Sequence, residues 1–355
     1  MRTLAAIMAA LTASALLAQQ PAKTEPQSPF SEKIEVNEVL LDTIVTDSRG
    51  NQILGLDKND FVVTENGAPQ KLDGVDYYTS RRLLDSPEAS APFRVEQVHD
   101  ERYLIFFFDK PEDNQLFGRL SAARREVNNF LDRSMTDGDK VAIVGHDVRL
   151  KVYTDFTSDR AQLRQALEDV GRFSKGLTKP ASDAKSASIL KNIDLNSMMY
   201  KTGTVYEALT ELADAVRPIH ARKNLVLISP GIYEPGELVR NGIALNRSRH
   251  YDPMIEALNG ADVSVYAINL WEQPPDAPVF HQTLEGLAQE TNGDYFRNAV
   301  SFANPLKQVA KASAGYYLLS YRTEKKGRGF QKVQVSIRDH PELRVAARAG
   351  YTYGD

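Results

Sequence analysis

The chain has 355 residues, 42% hydrophobic and 25% charged, which is room for two domains and the composition of a folded protein. Its 43 Lys and Arg stand against 47 Asp and Glu, and the formal net charge of -4 offers no global field that would draw in nucleic acid or an anionic membrane. There is no cysteine, so disulfides, thiolate zinc sites and cysteine nucleophiles are excluded.

In chain order, Met1 and Arg2 precede an apolar stretch, Leu4 to Leu17, interrupted only by Thr12 and Ser14. Ala15 and Ala18 supply small residues for cleavage, and the pattern predicts a signal peptide over 1–18 and a polar linker over 19–32. The mature chain is therefore expected to be exported, to a periplasm, a cell surface or the medium. Residues 33–79 read as a β module: apolar and polar residues alternate from Val39 to Thr46, and Asn66-Gly67 joins Phe61–Glu65 to a strand over Pro69–Val75. Residues 80–100 carry Pro87 and Pro92 without a period and read as a second linker.

From 101 to 313, apolar runs alternate with helical patterns. Tyr103 to Phe108 suits a central strand buried on both faces, ending in Asp109; Leu116, Leu120, Ala123, Val127, Phe130 and Leu131 follow at helical spacing. Strands are expected at Val141–Val144 and Arg149–Tyr153, joined by a turn at His146-Asp147, and later at Asn224–Ser229, Val263–Asn269 and Tyr295–Phe296, with helices between them. Strands alternating with helices predict a Rossmann-like, mainly parallel α/β sheet. Residues 173–200 fit neither pattern and are expected to form a flexible insert on the rim of the candidate site. Over 314–355 the pattern returns to β, with a long hairpin expected between Gly315–Tyr321 and Phe330–Ile337 and a further strand at Leu343–Tyr351. These strands are expected to pair with the N-terminal module, making one accessory all-β module from both chain ends.

The order of elements resembles a von Willebrand factor A domain, and the flanks resemble the bacterial exported subgroup related to it. The resemblance covers almost the whole mature chain and is carried by Asp47-Ser48-Arg49-Gly50, Leu56-Asp57-Lys58-Asn59-Asp60-Phe61, Glu65-Asn66-Gly67, the run Leu287 to Gly293, the run Gly315 to Tyr321, and Ala349-Gly350-Tyr351. It implies a metal-ion-dependent adhesion site on the carboxyl ends of the strands, where Mg²⁺ or Ca²⁺ takes oxygen ligands and leaves one position for a partner's carboxylate. The family pattern uses an Asp, two alternate serines, a Thr from a second loop and an Asp from a third. Asp109 stands at the first position; the alternate positions hold Pro111 and Asp113; Thr204 matches the threonine; Ser229-Pro230-Gly231 replaces Ser-Asp-Gly. The resemblance thus implies a degenerate site whose remaining candidates are Asp109, Asp113 and Thr204, within a partner-binding rim that includes Glu112, Thr202, Ser229 and Glu234. Against it, Asp109 and Thr204 equally suit the role of caps for the turn and helix that follow them.

Other chemistries find little support. The six histidines show no spacing that would place two on one helix face for zinc. Ser229 before Pro230 lacks the backbone N–H and flanking glycines of a nucleophile elbow, and no glycine-rich phosphate loop follows Phe108. The expected function is non-enzymatic recognition of a protein or surface polymer. The alternatives are a structural envelope component without a working metal site, and a hydrolase.

Overall fold

The computed structural model describes residues 37–48, 52–79, 101–136, 138–180, 187–219, 221–232, 239–240, 243–244, 248–272, 279–297, 299–313, 315–323 and 329–353. The expected signal segment and both expected linkers lie outside the described residues. No helix among the described residues is long and apolar enough to cross a membrane.

Four strands open the described chain: β1 (Asn37–Thr46), β2 (Phe61–Glu65), β3 (Ala68–Gln70) and β4 (Leu72–Thr79). The Asn66-Gly67 turn between β2 and β3 has φ of 49° and 82°, the pair of positive values that matches the twist of a two-residue hairpin. The expected single strand Pro69–Val75 is in fact two. The chain leaves the β2 ladder after Gln70, and Leu72 onward pairs in the opposite sheet.

The α/β unit follows: β5 (Arg102–Asp109), α1 (Phe117–Ser134), β6 (Asp139–Asp147), β7 (Arg149–Thr157), α2 (Arg160–Arg172), α3 (Leu195–Tyr200), α4 (Val205–Val216), β8 (Lys223–Ser229), the short pair β9 (Val239–Arg240) and β10 (Ile243–Ala244), α5 (Tyr251–Gly260), β11 (Val263–Asn269), α6 (Val279–Glu290), β12 (Tyr295–Phe296) and α7 (Ala303–Ala312). Its main sheet has the order β12-β11-β8-β5-β6-β7, parallel except for the antiparallel edge strand β7. This is the Rossmann-like, mainly parallel α/β arrangement that the alternation of strands and helices predicts. Burial on both faces explains why β5 is apolar from Tyr103 to Phe108. Tyr103, Ile105 and Phe107 enter the core under α4, α5 and α6, while Leu104, Phe106 and Phe108 enter the core under α1, α2 and α7. Each such aromatic or aliphatic side chain contributes roughly 1.5–3 kcal/mol by leaving water, which makes β5 the main anchor of both layers.

The last strands are β13 (Gly315–Thr323), β14 (Gly329–Ile337), β15 (Arg344–Ala347) and β16 (Gly350–Tyr353). They complete two antiparallel sheets, β15-β1-β13-β4 and β16-β14-β2-β3, packed around Leu41, Phe61, Val63, Tyr317, Leu319, Tyr321 and Val333. The accessory β module is thus built from both chain ends. The expected β13–β14 hairpin does not form. Strand β13 is hydrogen-bonded by β1 on one edge and β4 on the other, leaving β14 to pair with β2 and β16 across the sandwich. The expected strand Leu343–Tyr351 likewise splits between the two sheets. Gly350 is required at the crossing, since a Cβ there would lie 2.2 Å from the Gln331 carbonyl oxygen.

The interval 173–200 differs from the flexible insert expected of it. It contains α3 and buries Ile189, Leu190, Ile193 and Met198 in the core shared with β5. One carboxylate gathers the segment: Asp155 accepts hydrogen bonds from Ser188 Oγ (2.5 Å) and from the backbone N–H groups of Ile189 (2.8 Å) and Leu190 (3.3 Å). Residues 181–186 of this interval lie outside the described residues.

Candidate functional site

From β5 the chain winds through α1 to β6 on one side, and then returns through α4 to β8 on the other. The carboxyl ends of β5 and β8 therefore flank a switch point, where an open α/β sheet leaves a crevice. Register sets Asp109 beside His146 of β6, and the β5–β8 pairing ending at Phe108 and Ile228 brings Ser229 alongside. Gly145 keeps β6 this close, because a Cβ there would lie 2.8 Å from the Phe108 carbonyl oxygen.

These three side chains form one buried cluster. Ser229 Oγ donates to Asp109 Oδ2 at 2.7 Å and accepts from the Gly231 N–H at 3.1 Å. His146 Nε2 lies 3.1 Å from the Thr202 carbonyl oxygen, which can only accept, so Nε2 carries the proton. The ring's Nδ1 then faces Asp109 Oδ1, 3.9 Å away. Burial lowers the His146 pKa, only partly offset by the Thr202 carbonyl, and keeps the ring neutral. Burial pushes Asp109 up to about 7; the Ser229 hydrogen bond opposes the rise and the Glu112 charge adds to it. The cluster therefore holds a carboxyl that stays partly protonated at neutral pH, with no cationic side chain paired to it among the described residues.

The remaining sequence candidates take other positions. Asp113 caps the turn before α1, accepting from the Gln115 N–H at 2.8 Å. Thr204 is the N-cap of α4 in a capping box with Glu207: its hydroxyl accepts from the Glu207 N–H at 3.2 Å and donates to Glu207 Oε2 at 3.1 Å. Thr202 is wholly buried, donating to the Met198 carbonyl at 2.6 Å and accepting from the Leu150 N–H at 3.0 Å, so it braces the rim from within and has no surface for a partner. Ser229 is equally buried and acts through Asp109. Glu112 is exposed on the lip, and Glu234 lies outside the described residues.

This donor set does not fit the divalent cation of the family pattern. Asp109 gives one oxygen to Ser229, Asp113 gives one to its own turn, and Thr204 is committed to Glu207. Pro111 and Pro230 offer no side-chain oxygen where the pattern has a serine and an aspartate. Among the described residues no three His, Asp or Glu side chains converge as a metal cage.

Around the cluster opens a cleft lined by Pro111, Leu116, Phe117, Val205, Ile232 and Trp271; among the described residues its acids are Asp109, Glu112, Asp113 and Asp147 and its one Lys or Arg is Lys110. Lys110 Nζ lies 3.0 Å from Asp147 and 5.0 Å above the Phe173 ring; Lys151 Nζ lies 3.0 Å from the other Asp147 oxygen. Burial raises the Asp147 pKa, but the Lys110 and Lys151 hydrogen bonds outweigh it and hold the carboxyl below its usual range. Sequence reasoning missed three residues here. The sequence pattern predicts a turn at His146, whereas β6 runs on through it and the register from Arg102 against Asp139 sets it opposite Asp109. Trp271, the single tryptophan, stands two residues beyond β11 and follows the strand ends to the rim. Val148 makes the actual turn, with φ of 66°, and nothing local in the sequence signals that a β-branched residue takes this conformation.

No protein-family model matches the chain, and no curated protein does. Solved structures do. An aerotolerance-related membrane protein from Bacteroides fragilis is similar at 13% identity and a TM-score of 0.37, over 60% of this chain and 98% of its own. BatB from Bacteroides thetaiotaomicron is similar at 13% identity and 0.36, over 60% and 98%. The vWF domain of the type V pili tip protein Mfa5 from Porphyromonas gingivalis is similar at 12% identity and 0.40, over 60% and 95%. At such scores the likeness carries no functional argument, and the architecture stands on the strand order and crossovers described above.

Proposed function

We propose that this chain is an exported binding protein that recognises a protein or surface-polymer partner with the carboxyl-end rim of its α/β unit, and that it performs no catalysis. The observation that carries the reading is the cleft at the β5–β8 switch point. Its floor is fixed by internal hydrogen bonds through Asp109, Ser229 and His146, while Glu112, Asp113 and apolar side chains on the lip remain open to a partner. Ser229 supports a scaffold role over a nucleophilic one: it is wholly buried and its hydroxyl proton goes to Asp109. Residues 1–18 support export through their signal-peptide pattern.

The test is retention of the chain lacking residues 1–18 on envelope fractions of the cells that make it. A rim variant, Val148→Asp with Glu112→Lys, is expected to lose retention while its circular dichroism and melting temperature stay close to wild type. A variant at the opposite end of the sheet, Glu101→Gln, is expected to be retained like wild type. Equal retention of all three would overturn the reading and favour a structural component that makes its contacts through the β sandwich.

A further inference from the structure

The charges of the cleft do not match the family's use of such a face. A bound divalent cation would present positive charge to a partner's acid. Here four carboxyl side chains line the cleft against the Lys110 ammonium, which already sits on Asp147. Among the described residues Glu112 forms no ion pair, and Asp113 is bonded only to the backbone of its own turn. An acidic group entering this cleft would meet like charge, and a basic one would find unmatched carboxyls.

Beside the acids stands an apolar shoulder. Val148 is 67% exposed at the tip of the β6–β7 turn, and Met199 and Tyr200 at the end of α3 are 47% and 76% exposed. Arg149 ties the two together, its guanidinium donating to the Val148 carbonyl at 2.6 Å and to the Met199 carbonyl. Val148 holds a left-handed conformation that costs a β-branched residue energy, and strain of this kind persists where surrounding structure enforces it. The result is a fixed apolar knob between water and an acidic cleft.

Resting on the rim-binding reading above, we infer that the partner is a protein segment carrying a Lys or Arg flanked by apolar residues. Its basic head enters among Glu112, Asp113 and Asp109, where the family pattern has a metal ion, and its apolar neighbours cover Val148, Met199 and Tyr200. The single tryptophan lines the same cleft and reports on its occupancy.

The test is a fluorescence titration of the chain lacking residues 1–18 with two synthetic peptides, Ac-Leu-Lys-Val-Lys-Leu-amide and the same peptide with Glu for Lys. The basic peptide is expected to change Trp271 emission saturably. The affinity should fall about tenfold in the double variant Glu112→Gln, Asp113→Asn, fall with added salt, and stay unchanged in Glu101→Gln. Tighter binding of the acidic peptide would overturn the basic-partner inference while leaving the rim as the binding face. Absence of any saturable change, with envelope retention still lost in the rim variant, would overturn the peptide class alone. Retention that survives the rim variant would remove the rim reading itself.

Discussion

The same two strands carry a buried aspartate at each end, and the two are treated in opposite ways. Where β5 and β6 begin, Asp139 is 0% exposed and accepts from Arg102 Nε at 2.7 Å, from a second Arg102 nitrogen, and from the Thr136 N–H at 2.7 Å. Where they finish, Asp109 is 6% exposed and has a hydroxyl and a neutral imidazole for neighbours. The first end satisfies its charge inside the fold. The second, among the described residues, leaves Asp109 without a matching cation, held in place by neutral groups. A buried acid without a cation is costly, and its presence at the switch point supports the proposal that this end of the sheet serves binding.

The largest expected effect breaks the satisfied end. Asp139→Ala leaves the Arg102 guanidinium buried at 9% exposure without its partner, and should cost roughly 3–5 kcal/mol in denaturant unfolding. A cost below about 1 kcal/mol would mean that the two ends are not distinguished as described.

Next comes the pH dependence of the unsatisfied end. Because burial raises Asp109 from 3.8 to about 7, the folded chain holds this proton more tightly than the unfolded one. Its contribution is present below pH 4 and is lost as pH rises through about 7. His146, lowered by burial, acts in the opposite sense and removes stability as pH falls below its ordinary 6.5. Asp109→Asn keeps an acceptor for Ser229 and cannot ionise, so it should be more stable than wild type at pH 8 by on the order of 3 kcal/mol. It should lose that advantage by pH 4. Melting curves of the two proteins across this range decide it, and parallel curves would remove the unpaired-acid account.

Val148→Gly relieves the left-handed strain and should stabilise the chain by about 0.5–1 kcal/mol while weakening capture of the basic peptide. The smallest stability effect belongs to Glu112→Gln, an exposed lip residue, which should change unfolding free energy by less than about 0.5 kcal/mol yet still reduce binding. Together the two variants separate what the rim does for the partner from what it does for the fold.

Much of this architecture is legible in the residues, because burial on both faces writes continuous apolar runs at Tyr103–Phe108 and Val263–Asn269, and the helices carry regular apolar stripes. The Asn66-Gly67 hairpin is equally plain. What is not legible is which sheet a strand joins. β13 and β14 each alternate correctly for a hairpin, and only competition from β1 and β4 for both edges of β13 sends β14 elsewhere. The same holds for the segment around Ile189, whose order depends on Asp155, more than thirty positions away in sequence. At the site, Asp109, Ser229 and Thr204 could be named from the family resemblance, but their bonding partners could not. Whether Thr204 faces a ligand or Glu207, and whether His146 meets Asp109, is decided by register and rotamer.

The most direct test of the central claim, that the rim works through unmatched carboxyls and not through a bound metal, is the melting temperature of the chain lacking residues 1–18. It is measured in EDTA and then in millimolar Mg²⁺, Ca²⁺ or Mn²⁺, since a ligand of the folded state alone must raise it. The account predicts the same melting temperature in all four conditions, for wild type and for Asp109→Ala alike. A rise with any cation that disappears in Asp109→Ala would contradict it and restore a working metal site.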